Sequence, residues 1–174
     1  MGCFDYSGAC GSSSAGKLLL GLFLAALAVF LVVIFFFPVQ PVGIQAQLTD
    51  SSGGTIADGS PVLFNAVLNN TNPAAITYVP ASGTFIINKS GTYLVTWWVS
   101  VDGAEAATYV RFSAVVNGGM GIPADTPSVT DQLNGTALVT VTSTPAAISI
   151  VNQTGFTAFI GATPEQANIT ITRI

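Results

Sequence analysis

The chain contains no histidine, and only 7% of its 174 residues are charged. The first absence removes Ser-His-Asp and Cys-His nucleophile chemistry, and with it the side chain that most often holds zinc or iron. The second leaves charge far below the roughly 25% of an average soluble domain. Four Lys and Arg stand against eight Asp and Glu, a formal net charge of −4. The basic residues Lys17, Lys89, Arg111 and Arg173 are scattered along the chain. Nucleic-acid binding needs clustered cations that displace counterions, so that class is excluded. Cysteine occurs only as Cys3 and Cys10. Everything after residue 10 therefore lacks a disulfide, a thiolate nucleophile and a sulfur-ligated metal. Asp102, Glu105, Asp125 and Asp131 follow no calcium-loop spacing and read as solvated loop carboxylates. No cofactor, metal or catalytic group is expected, and the chain reads as a non-enzyme.

What is present begins with residues 1–17, a Gly/Ser-rich stretch that reads as a flexible leader. From Leu18 to Phe37 the sequence LLLGLFLAALAVFLVVIFFF carries no charged or polar side chain. A helix of about 20 residues rises about 30 Å, the thickness of a bilayer core. Pro38 stops the run and Pro41 prevents its return. Three destinations are open to it. One is a membrane signal anchor. Another is a cleaved signal peptide, although VQPVGIQAQ offers a poor cleavage site and the run exceeds the usual roughly 7–15 apolar residues. The third is a helix buried in protein, bundled on an oligomer axis or inserted into a neighbouring subunit. Lys17, the one basic flank, favours a cytoplasmic N-terminus with the rest of the chain outside. Cys3 and Cys10 are then candidates for acylation or for intermolecular disulfides, with unreactive thiols as the plain alternative. The start MGCFDY fails the myristoylation pattern at Tyr6.

Residues 38–57 read as a linker and first strand, and residues 58–174 as one β domain. Short strands are expected at 62–68, 75–79, 83–87, 91–101, 107–116, 135–141, 146–152, 156–161 and 167–174. Turn signals such as Asn69-Asn70, Lys89-Ser90-Gly91, Asp102-Gly103, Asn117-Gly118-Gly119 and Asn134-Gly135 separate them. Such spacing indicates a sandwich or jelly roll. No long amphipathic helix and no Gly-X-Y tract follows Pro38. Sequons at Asn69, Asn88, Asn134, Asn152 and Asn168 matter only in a eukaryotic secretory pathway.

The stretch TYLVTWWVSV, residues 92–101, shows which faces are buried, because successive strand side chains alternate. Tyr93, Val95, Trp97, Val99 and Val101 form a wholly apolar face that should line the core. The other face carries Leu94 and Trp98 among Thr92, Thr96 and Ser100. An outward Trp beside a Leu suggests a subunit interface or a ligand platform, with cover by a loop of the same chain as the alternative. In the strand from Tyr109 to Val116, Arg111 is expected either paired with a carboxylate at an interface or isolated on the surface.

The stretches FNAVLNN, ITYVPASGTFIINKSGTYLV, RFSAVVNGG, QLNGTALVTV and ANITITRI, in that order, resemble the globular-head family of complement C1q, which shares the tumour necrosis factor jelly roll. The likeness is greatest to the C-terminal domains of collagen-like glycoproteins on bacterial spore surfaces. Gly91-Thr92-Tyr93 looks like that family's Gly-x-Tyr strand entry. The resemblance implies an all-β, ten-stranded jelly-roll sandwich that forms a homotrimer, here preceded by one long apolar helix. It also implies an adhesive, binding or structural role. Leu94, Trp98 and Arg111 are the candidate trimer contacts. No collagen-like stalk is present, so direct anchoring or head-to-tail stacking through residues 18–37 fits better than a long projection. The expected function is a structural or adhesive subunit of a bacterial spore or cell-surface layer or fibre, with the β domain outside. The alternative is a membrane-tethered trimeric module that recognises a receptor or glycan.

Overall fold

The computed structural model describes the backbone of residues 14–36 and 41–174, and side chains over residues 19–30 and 41–174. The chain divides into two compact units, Met1–Gln40 and Pro41–Ile174. Among its described residues the first holds one helix, α1 (Ser14–Phe36). Leu19, Leu20, Leu22, Phe23, Val29 and Phe30 of α1 are all 60–68% exposed. Among the described residues no helix is long and apolar enough to cross a membrane. Cys3, Cys10 and Phe37 lie outside the described residues, and Leu18 lies in α1 with its side chain outside them.

The second unit is all β. It contains twelve strands: β1 (Gly43–Thr49), β2 (Gly54–Ile56), β3 (Ala66–Asn70), β4 (Ile76–Val79), β5 (Thr84–Ile87), β6 (Gly91–Ala104), β7 (Tyr109–Val116), β8 (Ile122–Pro127), β9 (Thr130–Val141), β10 (Ala146–Asn152), β11 (Ala158–Ile160) and β12 (Glu165–Arg173). One sheet has seven strands in the order β2-β11-β6-β12-β1-β3, with β9 on the other side of β6. The second has five, β4-β5-β10-β7-β8.

Twelve strands replace the ten expected; the two not expected are β2 and β8, and β2 owes its place to the length of β6. At 14 residues β6 outruns its neighbour β12, which pairs with it only from Tyr93 to Val99. Backbone groups beyond Val99 would otherwise lack partners. The three-residue β11 takes over there, opposite Val101 and Ala104, and β2 pairs with β11 in turn. β8, with the sequence IPADTP, was also not expected as a strand. Proline cannot donate to a ladder, so it is tolerated where one side needs no partner. β8 is the edge of its sheet, and Pro123 and Pro127 sit opposite Ser113 and Tyr109. The strand expected at 62–68 starts later, at Ala66. Val62 and Phe64 are buried but lie outside the ladder, with Val62 N donating to the Ile150 carbonyl at 2.8 Å.

The alternation in β6 sets the core. Tyr93, Val95, Trp97, Val99 and Val101 are all buried, at 3% exposure or less. Phe85, Phe112, Ile148 and Ile150 are buried from the five-stranded sheet. Phe64, Tyr78 and Phe85 form an aromatic cluster with centroids 4.5–6.2 Å apart, a spacing that adds to their area burial.

Two glycines follow from this packing. Gly91 has φ +143°, and the Arg173 guanidinium lies where a Cβ would go. Arg173 Nε donates to the Ser90 carbonyl at 3.1 Å, and the Tyr93 hydroxyl donates to the Lys89 carbonyl at 2.6 Å. The Gly-x-Tyr element is therefore one device: the glycine admits Arg173, and the tyrosine ties the preceding turn to the core. Gly135 is the cross-strand partner of Trp97, and the indole edge fills the space its side chain would take.

Candidate functional site

The outer face of the seven-stranded sheet is built by register. Side chains directly opposite in a ladder share a face. Reading across β1, β12, β6 and β9, one row is Gly43, Thr172, Leu94 and Leu138. The next is Gln45, Thr170, Thr96 and Thr136, and the third is Gln47, Asn168, Trp98 and Asn134. Every side chain in these rows is a hydroxyl, an amide, an aliphatic or an indole; none is ionisable. Leu138 is 62% exposed and Leu94 37%. Trp98 is half-buried between two depressions, one of about 190 Å³ towards Asn134 and Asn168 and one of about 340 Å³ towards Ser100 and Gln132. Acidic groups begin only past Ser100, at Asp102, Asp131 and Glu165. The Thr130 hydroxyl donates to Asp102. Asp131 accepts from the Thr126 hydroxyl at 2.6 Å and from Gln132 N at 2.7 Å. These bonds hold the Asp131 carboxyl below its ordinary range, the Thr126 bond foremost.

Leu94 and Trp98 thus share one face, while Arg111 lies in the other sheet. In β7, Val110, Phe112 and Ala114 point inward, so Tyr109 and Arg111 point outward. Arg111 sits opposite Asp125 of β8. Its Nε donates to one carboxylate oxygen at 2.7 Å and its Nη2 to the other at 2.9 Å. The guanidinium also stands 5.2 Å from the centre of the Tyr109 ring. The Arg111 bond is the largest cause that holds the Asp125 carboxyl below its ordinary range, and Asp125 in turn pushes the guanidinium up. Thr108, Tyr109, Arg111, Asp125, Thr126 and Pro127 line an open depression of about 380 Å³. The carboxylate partner of Arg111 is therefore in its own chain.

Among the described residues no group of three His, Cys, Asp or Glu is placed to hold a metal ion. One sequon is closed: Asn152 is fully buried and donates to the carbonyls of Ile56 at 2.7 Å and Phe156 at 2.9 Å.

No family model matches the sequence, and no curated protein matches it. Solved structures do match in fold. A TNF-type Eiger from S. frugiperda superposes with a TM-score of 0.59 at 11% identity, over 78% of this chain and 94% of that one. The globular domain of zebrafish complement 1qA gives 0.53 at 15% identity, over 76% and 95%. Murine APRIL at pH 5.0 gives 0.58 at 7% identity, over 78% and 100%. The fold is the TNF/C1q jelly roll. At these identities the likeness speaks for the fold alone. In the three rows of the outer face, Leu138 is an exposed apolar residue that the sequence alone had not marked. The alternation that marked Leu94 also runs through residues 135–141, and applying it there would have found Leu138. The Arg111–Asp125 pairing had no such signal, because β8 does not read as a strand.

Proposed function

We propose that this chain is a non-enzymatic, homotrimeric structural or adhesive subunit of a bacterial spore or cell-surface layer or fibre. Residues 18–37 hold it there, in lipid or in a neighbouring copy. The observation that carries this reading is the three uncharged rows on the outer face of the seven-stranded sheet, with Leu94, Leu138 and Trp98 in them. A charge-poor face with outward apolar side chains is a surface for close contact with protein rather than for solubility. The apolar, exposed stretch 19–30 of α1 supports an assembled rather than a dispersed protein, since such a surface must be buried in something.

Light scattering of the full chain, in a detergent without a sugar headgroup, tests the trimer. The protein mass should be about three times that of the monomer. Leu138→Glu, at a position already exposed, should leave the β-sheet circular dichroism unchanged and shift the mass towards one chain. A parent monomer, or a variant that remains trimeric, counts against the reading. Electron microscopy of the same preparation after detergent removal should show layers or fibres. Dispersed particles under every condition would remove the assembly part.

The second reading is a membrane-tethered trimeric module that recognises a receptor or glycan. The depression around Arg111 favours it, because that depression lies on the other sheet and stays open when the seven-stranded sheet is covered.

A further inference from the structure

We infer that Tyr109, Arg111 and Asp125 form a binding site for a neutral sugar. The inference rests on the second reading above and gives that module its ligand class. The argument begins with charge. Arg111 and Asp125 form the one salt bridge found among the described residues, and it is bidentate, at 2.7 and 2.9 Å. A guanidinium so engaged is a poor receptor for a free anion, and the carboxylate a poor receptor for a cation. The pair is electrically closed, yet it is not saturated in hydrogen bonds. A guanidinium has five N–H donors and an ionised carboxylate about four acceptor positions. Two of each are used here, so donors and acceptors remain side by side in a rigid planar fork.

A sugar hydroxyl both donates and accepts, so two neighbouring hydroxyls can bridge such a fork. Phosphates and carboxylates only accept, and ammonium groups only donate. The second requirement of a sugar is an apolar platform for the C–H face of its ring. Tyr109 offers the part of its ring that Arg111 leaves uncovered: the guanidinium stands over the ring, 5.2 Å from its centre, and the residue remains 39% exposed. The depression, at about 380 Å³, lies at the small end of the roughly 300–1,000 Å³ of small-ligand sites. It rests on two strands rather than on a loop, and beneath it the Thr126 hydroxyl is tied to Asp131 at 2.6 Å. The platform and the fork are therefore in place before any ligand arrives.

Saturation-transfer NMR on the full chain in lauryldimethylamine oxide tests this. The probes are the methyl glycosides of glucose, galactose, mannose and N-acetylglucosamine, with the acidic methyl glycoside of glucuronic acid beside them. At least one neutral glycoside should bind saturably, with stronger transfer to its ring C–H protons than to its methyl group. Glucuronide should bind no better. Tyr109→Ala should weaken binding about tenfold or more, and Asp125→Asn should weaken it as well. Tyr109→Phe, which keeps the ring, should preserve binding, and Leu138→Ser on the other sheet should leave it unchanged. Unaltered circular dichroism excludes misfolding as the cause of a loss. Absence of transfer from every neutral glycoside, preference for the acidic one, or binding indifferent to Tyr109→Ala would overturn the inference. The wider reading is scored separately, by attachment of the labelled chain to cell surfaces. Attachment that is lost in Asp125→Asn, without any sugar binding, keeps the module and removes the sugar.

Discussion

Alanine at Gly135 is the substitution that probes the core most sharply. Gly135 lies in mid-strand with no left-handed φ, so the backbone itself accepts alanine. Taken alone, the exchange should stabilise by about 0.4–1 kcal/mol, because it narrows the unfolded ensemble. The new methyl group, however, meets the indole edge of Trp97, which is 3% exposed and rigid. Overpacking of a closed core costs about 1–3 kcal/mol. The steric cost wins, and the net loss should be about 1–2 kcal/mol. For a domain of this size that lowers Tm by roughly 5 °C. Thermal unfolding followed by near-ultraviolet circular dichroism measures it, at one fixed protein concentration because self-association raises Tm. A double-mutant cycle with Trp97→Phe isolates the cause. The smaller ring vacates the space above residue 135, and it also removes a buried Nε1 that has no hydrogen-bond partner among the described residues. In that background alanine should be nearly harmless, giving a coupling of about 1 kcal/mol or more. If Gly135→Ala is as stable as the parent, or the two changes simply add, the packing argument fails.

Two further outcomes follow from the hydrogen bonds. Tyr93→Phe removes the hydroxyl that holds the Lys89 carbonyl at 2.6 Å, and should cost about 1 kcal/mol in urea unfolding; an unchanged midpoint would show that the turn is held by Arg173 alone. Asp50, Asp125 and Asp131 all have carboxyls lowered from an ordinary 3.8, chiefly by Ser52, Arg111 and Thr126 in turn. Lowered folded values mean that the unfolded chain takes up protons first as pH falls. Their stabilisation is present above about pH 4 and is lost as pH drops through the folded values. With no histidine to titrate, urea midpoints should be level from pH 8 to 5 and fall by pH 3. A midpoint that rises towards pH 3 would contradict the sign.

The legible parts of the sequence were those in which one strand carries its own message. TYLVTWWVSV alternates so cleanly that all five inward residues were readable before any partner strand was known. Gly91-Thr92-Tyr93 was readable as a motif, but its reason was not. Arg173, which occupies the space beside Gly91, lies at the other end of the chain and reaches it only through the pairing of β12 with β6. β8 stayed hidden because its two prolines and its aspartate contradict strand propensity, and an edge position that forgives proline is a property of the sheet. The Arg111–Asp125 pair was hidden with it. The uncharged face needed the register of four strands. Alternation says that Leu94 and Leu138 each point outward, and only the ladder says that they are neighbours.

The three rows themselves hold no group that a proton or an ion can switch. Between surfaces that carry charge, added salt screens attraction over a distance of about 8–10 Å, and a shift in pH alters which partners are welcome. Rows of threonine, glutamine, asparagine, leucine and tryptophan offer neither handle. Whatever rests against them is held by contact area and by neutral hydrogen bonds, and it is selected by shape. Such a seam would change little between neutral water and weak acid, and salt would act on it through the hydrophobic effect rather than through screening.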